Sequence, residues 1–214
     1  MTDDLLDLTA LRAVPLRSAP WRWGMVPTVF RHGLDALVAG FPTTGFTLFQ
    51  RTDGAKPYLM SGRPLIRRGE HDVACDDGLA PVWTRLGAEL CAPGYVRALG
   101  AVCGRDLGGL VMEATFWRYD AGCWLAPHPD KPEKVVSQVF YFNPHWDPAW
   151  GGVLRILRSP AMTDVESDIP PVAGTAVVIE RCARSWHAVT AVTSADAPPR
   201  QSLQVVFSHP DVAP

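Results

Sequence analysis

An imidazole and a carboxylate two positions apart are the residues of this sequence best suited to chemistry. They are His128 and Asp130, separated by Pro129. In an extended chain, side chains two positions apart point to the same side. The pair could therefore hold one metal ion from one side. A second His from a distant strand would complete a 2-His-1-carboxylate face with open coordination positions, which is typical of non-haem Fe(II) sites.

The His-x-Asp spacing is not specific by itself, because the chain contains it three times. The pairs are His128/Asp130, His145/Asp147 and His209/Asp211. His145 lies in a turn-rich run, and almost no chain follows His209. Only His128 precedes a series of strand-like segments, with Tyr119 a short distance upstream. Its position therefore favours the first pair.

The composition bounds what the chain can be. It has 214 residues, of which 47% are hydrophobic and 20% charged, which suits one globular domain over 1–214. A net charge of -2 gives no electrostatic footprint for nucleic acid or an anionic membrane. The N-terminus lacks the features of a signal peptide, and five scattered Cys do not form a disulfide framework. We therefore expect a cytoplasmic protein, with its oligomeric state open.

Residues 1–109 are predicted to be mainly helical, to support the core and to form the substrate mouth. The first 27 residues contain two Trp and form either a surface arm packed on the domain or a flap over the mouth. A helix is predicted from an N-cap at Thr28 to a stop at Gly40, and two more over 79–90 and 95–102. A hairpin is predicted over 46–60, followed by an irregular charged loop over 61–77.

Residues 110–208 have a sequence pattern typical of β-strands and are predicted to be the catalytic core. Segments rich in Val, Phe, Trp and Ile alternate with Gly, Pro and Asp, which is typical of strands. The predicted strands are 111–119, 135–142, 153–157, 175–180, 186–192 and 202–207. Helices that precede a run of strands indicate an α+β domain, with the helices packed on one sheet of a sandwich or jelly roll.

Two later residues could complete a site. His187 begins a predicted strand and is either the third metal ligand or a buried core His. Arg200 opens the last strand, where it either faces water or points inward. A buried guanidinium needs an anion to offset its desolvation, and a carboxylate would pair with it in bidentate fashion. Ser202, two positions on, would point to the same face.

Taken together, these motifs resemble the Fe(II)/2-oxoglutarate-dependent dioxygenases, in particular their prolyl-hydroxylase-like branch. The matching segments are HPD at 128–130, VFYFN at 139–143, WGGVLRIL at 150–157, WHAV at 186–189 and RQS at 200–202. The resemblance covers roughly the last hundred residues and implies a double-stranded β-helix. The segment between His187 and Arg200 is a few residues longer than is usual in that family.

The resemblance also implies roles for individual residues. It makes His128, Asp130 and His187 the catalytic iron ligands. It makes Arg200 the partner of the distal carboxylate of 2-oxoglutarate. The further contacts to this cosubstrate would come from Ser202, Tyr141 and Tyr119.

The implied reaction is the hydroxylation of an unactivated C–H bond with Fe(II), 2-oxoglutarate and O2. Halogenating relatives have a small residue in place of Asp130, so its carboxylate favours hydroxylation. We expect a small-molecule substrate, such as an amino acid or a natural-product intermediate. The alternatives are a peptidyl or protein prolyl hydroxylase, or a cupin-like metalloenzyme or binding protein that does not use 2-oxoglutarate. Candidate substrate contacts are Trp117, Arg118, Lys131, Trp186 and the segment 63–68.

Overall fold

A computed structural model describes residues 4–54, 56–74 and 78–210. The helices are α1 Leu8–Arg12, α2 Leu34–Ala39, α3 Pro81–Cys91 and α4 Pro93–Cys103, with a 3-10 turn at Pro148–Trp150. The strands are β1 Trp23–Val26, β2 Thr47–Arg51, β3 Tyr58–Ile66, β4 Val111–Tyr119, β5 Trp124–His128, β6 Lys134–Tyr141, β7 Leu154–Leu157, β8 Val165–Ile169, β9 Ala176–Glu180, β10 His187–Val189 and β11 Arg200–Ser208.

The strands form one curled antiparallel sheet with two walls. One wall has the order β1-β9-β6-β11-β4-β3, with β2 paired to β3, and the other has the order β5-β10-β7-β8. Strand β3 joins the walls, because its first residues pair with β5 and its later residues with β4. This arrangement confirms the predicted α+β class and the double-stranded β-helix.

Alternation along the strands separates a helix-facing core from an interior cavity. In β6, Phe140 packs in the cluster that contains the helices, whereas Val139 and Tyr141 belong to the interior cluster. In β11, Leu203 faces the helices and Ser202 lines the cavity. Because the side-chain period of a strand is two, each strand serves both regions. The apolar residues of one face pack against the helices, and residues of the other face line the cavity.

Helices α3 and α4 cover the outer face of the long wall, as predicted. The ring of Trp83 in α3 lies edge-on to Phe116 and Phe142, with centroid separations of 4.7 and 4.8 Å. Aromatic pairs in this geometry contribute beyond their buried area. The wall that carries the site is thus supported from behind by a dense apolar layer.

The predicted start of α2 is wrong. The helix begins at Leu34 after Gly33, which has φ 71°, and Thr28 does not cap it. A left-handed residue interrupts the helical path, and glycine adopts it without strain. Phe30, assigned to the helix from its spacing, instead lies in a bridge opposite Leu6 and contacts Phe140.

One other expectation needs revision. The segment predicted to be irregular from residue 61 continues strand β3 as far as Ile66, and residues 75–77 lie outside the described residues. The N-terminal segment is packed on the domain, since Trp21 and Trp23 are buried and β1 pairs with β9. Strands β1, β5 and β8 and helix α1 were not predicted. Among the described residues, no helix is long and apolar enough to cross a membrane.

Candidate active site

Two strands of the short wall bring the histidines together. Strand β5 ends at His128, strand β10 begins at His187, and these residues are direct partners in the antiparallel ladder. Their ring centroids are 4.4 Å apart. Asp130 follows β5 by two residues, and the candidate ligand atoms of all three side chains lie within 4.8 Å of one another. The predicted triad is therefore assembled, and each member is nearly buried.

Backbone carbonyls fix the tautomer of both imidazoles. Nδ1 of His128 lies 2.8 Å from the carbonyl oxygen of Ala126, and Nδ1 of His187 lies 2.8 Å from that of Ser185. A carbonyl oxygen can only accept, so Nδ1 carries the proton in each neutral ring. The unprotonated Nε2 atoms are then left as metal ligands.

The carboxylate of Asp130 is held by two neighbours on the following strand. Lys134 Nζ donates to Oδ1 at 2.8 Å, and Ser137 Oγ donates to Oδ2 at 3.0 Å. Burial alone would raise the pKa of Asp130, but the charge of Lys134 and its hydrogen bond, together with the two histidines, hold this pKa well below its usual range. Asp130 is therefore an anion that can bind a cation.

Burial lowers the pKa of both histidines. For His128 the neighbouring His187 and Lys56 lower it further, and for His187 burial outweighs the opposing effect of Asp130. Desolvation disfavours the imidazolium form. Both rings are thus neutral near pH 7, which is the state that metal binding requires.

Arg200 points into the same interior. Its Nε donates to the carbonyl oxygen of Gly152 at 2.7 Å, and its Nη1 donates to Ser202 Oγ at 3.0 Å. The guanidinium carbon lies 5.0 and 5.2 Å from the ring centroids of Tyr119 and Tyr141. Arg200 is 2% exposed and makes no ion pair with a carboxylate in the described part of the chain. A buried cation in this state calls for an anionic ligand.

The hydroxyl of Tyr141 also indicates an anionic ligand. It is fully buried and has no hydrogen-bond partner within the described residues. Burial raises the pKa of Tyr141 to about 12, so the hydroxyl stays protonated and can donate. An unsatisfied buried donor beside a buried guanidinium suits a carboxylate.

One cavity of about 630 Å³ joins the triad to Arg200. Its lining contains His128, His187, Arg200 and Ser202. The turn that supplies the acceptor for Arg200 depends on glycine: Gly151 has φ 72°, and a Cβ there would lie 2.0 Å from the carbonyl oxygen of Ala191. The Trp-Gly-Gly segment thus lies against the chain that follows β10, and Gly152 presents its carbonyl oxygen to Arg200.

The remaining candidate substrate contacts fall into two groups, those that line the cavity and those that do not. Trp117 and Lys131 line the cavity, and so does Arg68 from the segment 63–68. Arg63 does not, because it is buried in β3 and donates to the carbonyl oxygen of Thr44 at 2.9 Å. Arg63 is therefore not among the candidate substrate contacts that line the cavity.

Arg118 and Trp186 are not part of the lining. Arg118 pairs instead with Asp120 at 2.8 Å. His145 and His209 are both exposed, and neither joins a metal-ligand cluster among the described residues.

Sequence reasoning missed several residues that act on the site. Lys134 and Ser137 hold Asp130, and the indole of Trp21 lies 6.3 Å from the ring of His187. The signal for Ser137 was available, since it lies on the strand that follows His-Pro-Asp. The contact of Trp21 was not, because it is 166 positions away along the chain.

Comparisons with known proteins agree with this geometry. Residues 114–208 match the family model of the 2OG-Fe(II) oxygenase superfamily. A comparison with curated protein sequences finds no match.

Solved structures with a similar fold include a Pseudomonas putida prolyl-4-hydroxylase, with 22% identity over 84% of this chain and 100% of that one and a TM-score of 0.52. A Burkholderia pseudomallei oxidoreductase of the 2OG-Fe(II) oxygenase family shares 20% identity over 94% of this chain and 91% of that one, with a TM-score of 0.59. The non-haem alpha-ketoglutarate-dependent epimerase SnoN from nogalamycin biosynthesis shares 14% identity over 87% of this chain and 76% of that one, with a TM-score of 0.55.

Proposed function

We propose that this chain is a 2-oxoglutarate-dependent iron dioxygenase that hydroxylates an unactivated C–H bond of a small molecule. Residues 114–208 match the family model of the 2OG-Fe(II) oxygenase superfamily, and the fold is similar to that of a prolyl-4-hydroxylase. Amino acids and natural-product intermediates are the first candidates. The cavity of about 630 Å³ supports this substrate class, since small-molecule sites have volumes of roughly 300–1,000 Å³. SnoN, which has a similar fold, comes from the biosynthesis of a natural product.

In this proposal His128, Asp130 and His187 hold the iron. Two unprotonated imidazole nitrogens and one carboxylate are the donor set that non-haem Fe(II) takes, and three side chains on one side leave positions open. The carbonyls of Ala126 and Ser185 keep both rings aimed at the ion through Nδ1. When bound, Fe(II) with 2-oxoglutarate and O2 supplies the oxidation, and 2-oxoglutarate leaves as succinate and CO2.

Arg200 is proposed to bind the distal carboxylate of 2-oxoglutarate. The observation that carries this role is the buried guanidinium without a carboxylate partner in the described residues, next to the unsatisfied hydroxyl of Tyr141. Ser202 would hold the guanidinium in place through its hydrogen bond and Tyr141 would donate to the same carboxylate. The guanidinium of Arg200 lies over the ring of Tyr119. Tyr119 would also contact the cosubstrate.

The proposed division of the chain follows from this. Residues 1–214 form one domain, with 110–208 as the catalytic core and 1–109 as support and mouth. The support consists of the four helices and strands β1–β3, and β3 links the two walls. A cytoplasmic location stays a prediction.

A peptidyl or protein prolyl hydroxylase is the second candidate. The fold resembles that of a prolyl-4-hydroxylase, and the β2–β3 hairpin beside the cavity exposes Leu48 (61%) and Phe49 (41%), which a peptide could cover. The family match and the unpaired Arg200 favour 2-oxoglutarate dependence over the cupin-like alternatives, which need no such anchor.

The test begins without a substrate. We expect a weak visible charge-transfer band when 2-oxoglutarate is added to the Fe(II)-loaded protein under anaerobic conditions, and its loss in His187→Ala. Absence of the band in the native protein would reject the proposal. Amino acids and proline-containing peptides are then screened for stimulated succinate release, and the class that stimulates it distinguishes the two candidates.

A further inference from the structure

The lysines of this chain are concentrated in one place. The chain contains three, Lys56, Lys131 and Lys134, and all three line the cavity that holds the triad. The other basic residues of the lining are Arg51, Arg68 and Arg200, and its acidic residues are Asp130, Glu113 and Glu133. The lining thus has six basic residues against three acidic ones, although the whole chain has a net charge of -2.

Binding of the metal and the cosubstrate does not neutralise this excess of positive charge. Fe(II) brings two positive charges and 2-oxoglutarate brings two negative charges, so their sum changes nothing. Arg200 and Asp130 are engaged by these two ligands in the proposed function. The basic residues of the lining that remain are Arg51, Lys56, Arg68, Lys131 and Lys134.

Lys56 is the basic residue with the fewest protein contacts there. Lys134 pairs with Asp130 at 2.8 Å, and Lys131, whose side chain is 75% exposed, lies 3.8 Å from Glu133. Lys56 is half-buried in the β2–β3 turn and makes no hydrogen bond or ion pair within 4–54, 56–74 and 78–210. Its ammonium group is available to a ligand.

Lys56 lines the same cavity as the triad and interacts electrostatically with the groups around it. Burial, then the charge of Lys134, lowers the pKa of Lys56 to about 8, with Asp130 opposing and Lys131 adding to the shift. The charge of Lys56 in turn lowers the pKa of both histidines. Lys56 remains mostly protonated at neutral pH, and a bound anion would relieve its repulsion with the other lysines.

An apolar surface lies beside these charges. Phe49, Tyr58 and Trp117 line the same cavity. The rings of Phe49 and Trp117 meet edge-to-face with centroids 6.0 Å apart. A ligand that touches both features has a charged end and an apolar body.

We propose that the substrate is a small organic anion whose carboxylate or phosphate group binds Lys56, with Lys131 as a second contact and the apolar body against Phe49 and Trp117. The inference rests on the proposed function and specifies its substrate class. It makes Lys56 a substrate-binding residue that neither the metal nor the cosubstrate requires.

The first experiment measures binding and needs no turnover. The Fe(II)- and 2-oxoglutarate-loaded protein is treated anaerobically with formaldehyde and cyanoborohydride, and the methylation of each lysine is followed by mass spectrometry. We expect benzoate or inorganic phosphate to slow the labelling of Lys56 about fivefold or more relative to chloride at equal ionic strength, as contact with a bound anion would. The better protector identifies carboxylate or phosphate as the preferred group.

Two results would overturn the proposal at this stage. One is equal labelling of Lys56 with either anion and with chloride. The other is full protection of Lys56 by 2-oxoglutarate alone, which would assign it to the cosubstrate. Because labelling does not depend on oxidation, both results are distinct from failure of the proposed function.

The second experiment uses turnover. Carboxylic acids and their methyl esters are compared for stimulated succinate release, and we expect only the acids to be accepted. Lys56→Gln should raise the KM for an accepted acid about tenfold, the order expected for a charge-assisted hydrogen bond. The effect should appear chiefly in KM, because the lost contact is to the charged group of the substrate and not to the C–H bond that reacts.

Arg12→Gln, on the exposed face of α1, is the matched control and should change none of these values. An unaltered KM in Lys56→Gln, or esters as good as acids, would refute the anionic substrate even in an active enzyme.

Discussion

His187 lies directly opposite His128 in the ladder of β5 and β10, with the two ring centroids 4.4 Å apart. Each ring donates from Nδ1 to the carbonyl two residues before it, that of Ala126 or Ser185. The same local hydrogen bond therefore occurs on both strands and aims both Nε2 atoms inward. The register of one strand pair fixes two of the three proposed iron ligands, because a shift of one residue would turn a ring to the opposite face.

Replacement of either histidine by Ala should abolish Fe(II) binding and succinate formation. A site with one nitrogen and one carboxylate retains too few ligands to hold the ion. The measurement is anaerobic Fe(II) titration followed by succinate release in air.

His145→Ala and His209→Ala are the matched controls, since both residues belong to a His-x-Asp pair and are exposed. They should bind Fe(II) as the native protein does. Loss of iron in either control would contradict the assignment of the triad.

The affinity for Fe(II) should be insensitive to pH down to unusually acid conditions. Burial lowers the pKa of His128 and His187, and the pKa of Asp130 is held well below its usual range. All three groups are then in the metal-binding state above the ordinary imidazole pKa of about 6.5. Protons compete for Nε2 only below the lowered pKa of each ring, so the affinity should stay level from about pH 8 through 6.5 and fall only at a pH well below 6.5.

Anaerobic Fe(II) titration over this pH range checks the direction of this pH dependence. A fall in affinity that begins above pH 7 would mean that at least one imidazole has a raised pKa, which would contradict the burial of the site.

Arg200→Gln should weaken 2-oxoglutarate binding about 10- to 100-fold, the range for loss of a charge-assisted hydrogen bond. Fe(II) binding should be unchanged, because Arg200 does not contact the triad. The readout is the concentration of 2-oxoglutarate that half-saturates the charge-transfer band. Arg155→Gln is the control, since Arg155 pairs with Asp168 at 2.8 Å away from the cavity lining. Equal cosubstrate affinity in Arg200→Gln and the control would reject the anchor.

Tyr141→Phe should separate stability from binding. The hydroxyl is buried without a partner in the described residues, so its removal should raise the free energy of unfolding of the ligand-free protein by about 1 kcal/mol. The same change should weaken 2-oxoglutarate about fivefold, since a donor to its carboxylate is lost. Thermal unfolding with and without 2-oxoglutarate measures both effects. A smaller ligand-induced rise in Tm than in the native protein is expected, and an identical rise would contradict the role of Tyr141.

The sequence predicted those parts of the fold that depend on local pattern. Strand β4 was predicted at 111–119 from its residue types, and this is its observed extent. Met112, Ala114 and Phe116 face the helices and alternate with residues that line the cavity. Helix α3 was predicted from its apolar stripe and forms Pro81–Cys91. His128 and Asp130 were found because their spacing is itself a local signal, whereas His187 was assigned from the resemblance of the ordered motifs to a known family.

Parts that depend on distant contacts could not be predicted. Strand β1 forms because Trp23–Val26 has a partner in β9, about 150 residues later. Spacing also misassigned Phe30, whose burial comes from Phe140 and Phe142 and not from a helix. Lys56, which makes no hydrogen bond or ion pair among the described residues, could not be identified for the same reason, since only the fold shows which charged groups are paired.

Ser137→Ala should weaken Fe(II) binding without altering the anchor for 2-oxoglutarate. Ser137 is 1% exposed, and its Oγ donates to Oδ2 of Asp130 at 3.0 Å, which orients the carboxylate. Loss of such an outer contact reduces metal affinity by roughly 10- to 100-fold in comparable sites. Lys134 still holds Oδ1 at 2.8 Å, so the carboxylate stays ionised and the lower end of that range is expected. Anaerobic Fe(II) titration of Ser137→Ala gives the change, and Ser137→Thr, which retains a hydroxyl, should recover most of it. If both variants lost affinity equally, the extra or missing volume in β6 would be the cause, and the hydrogen bond to Asp130 would have no part in metal binding.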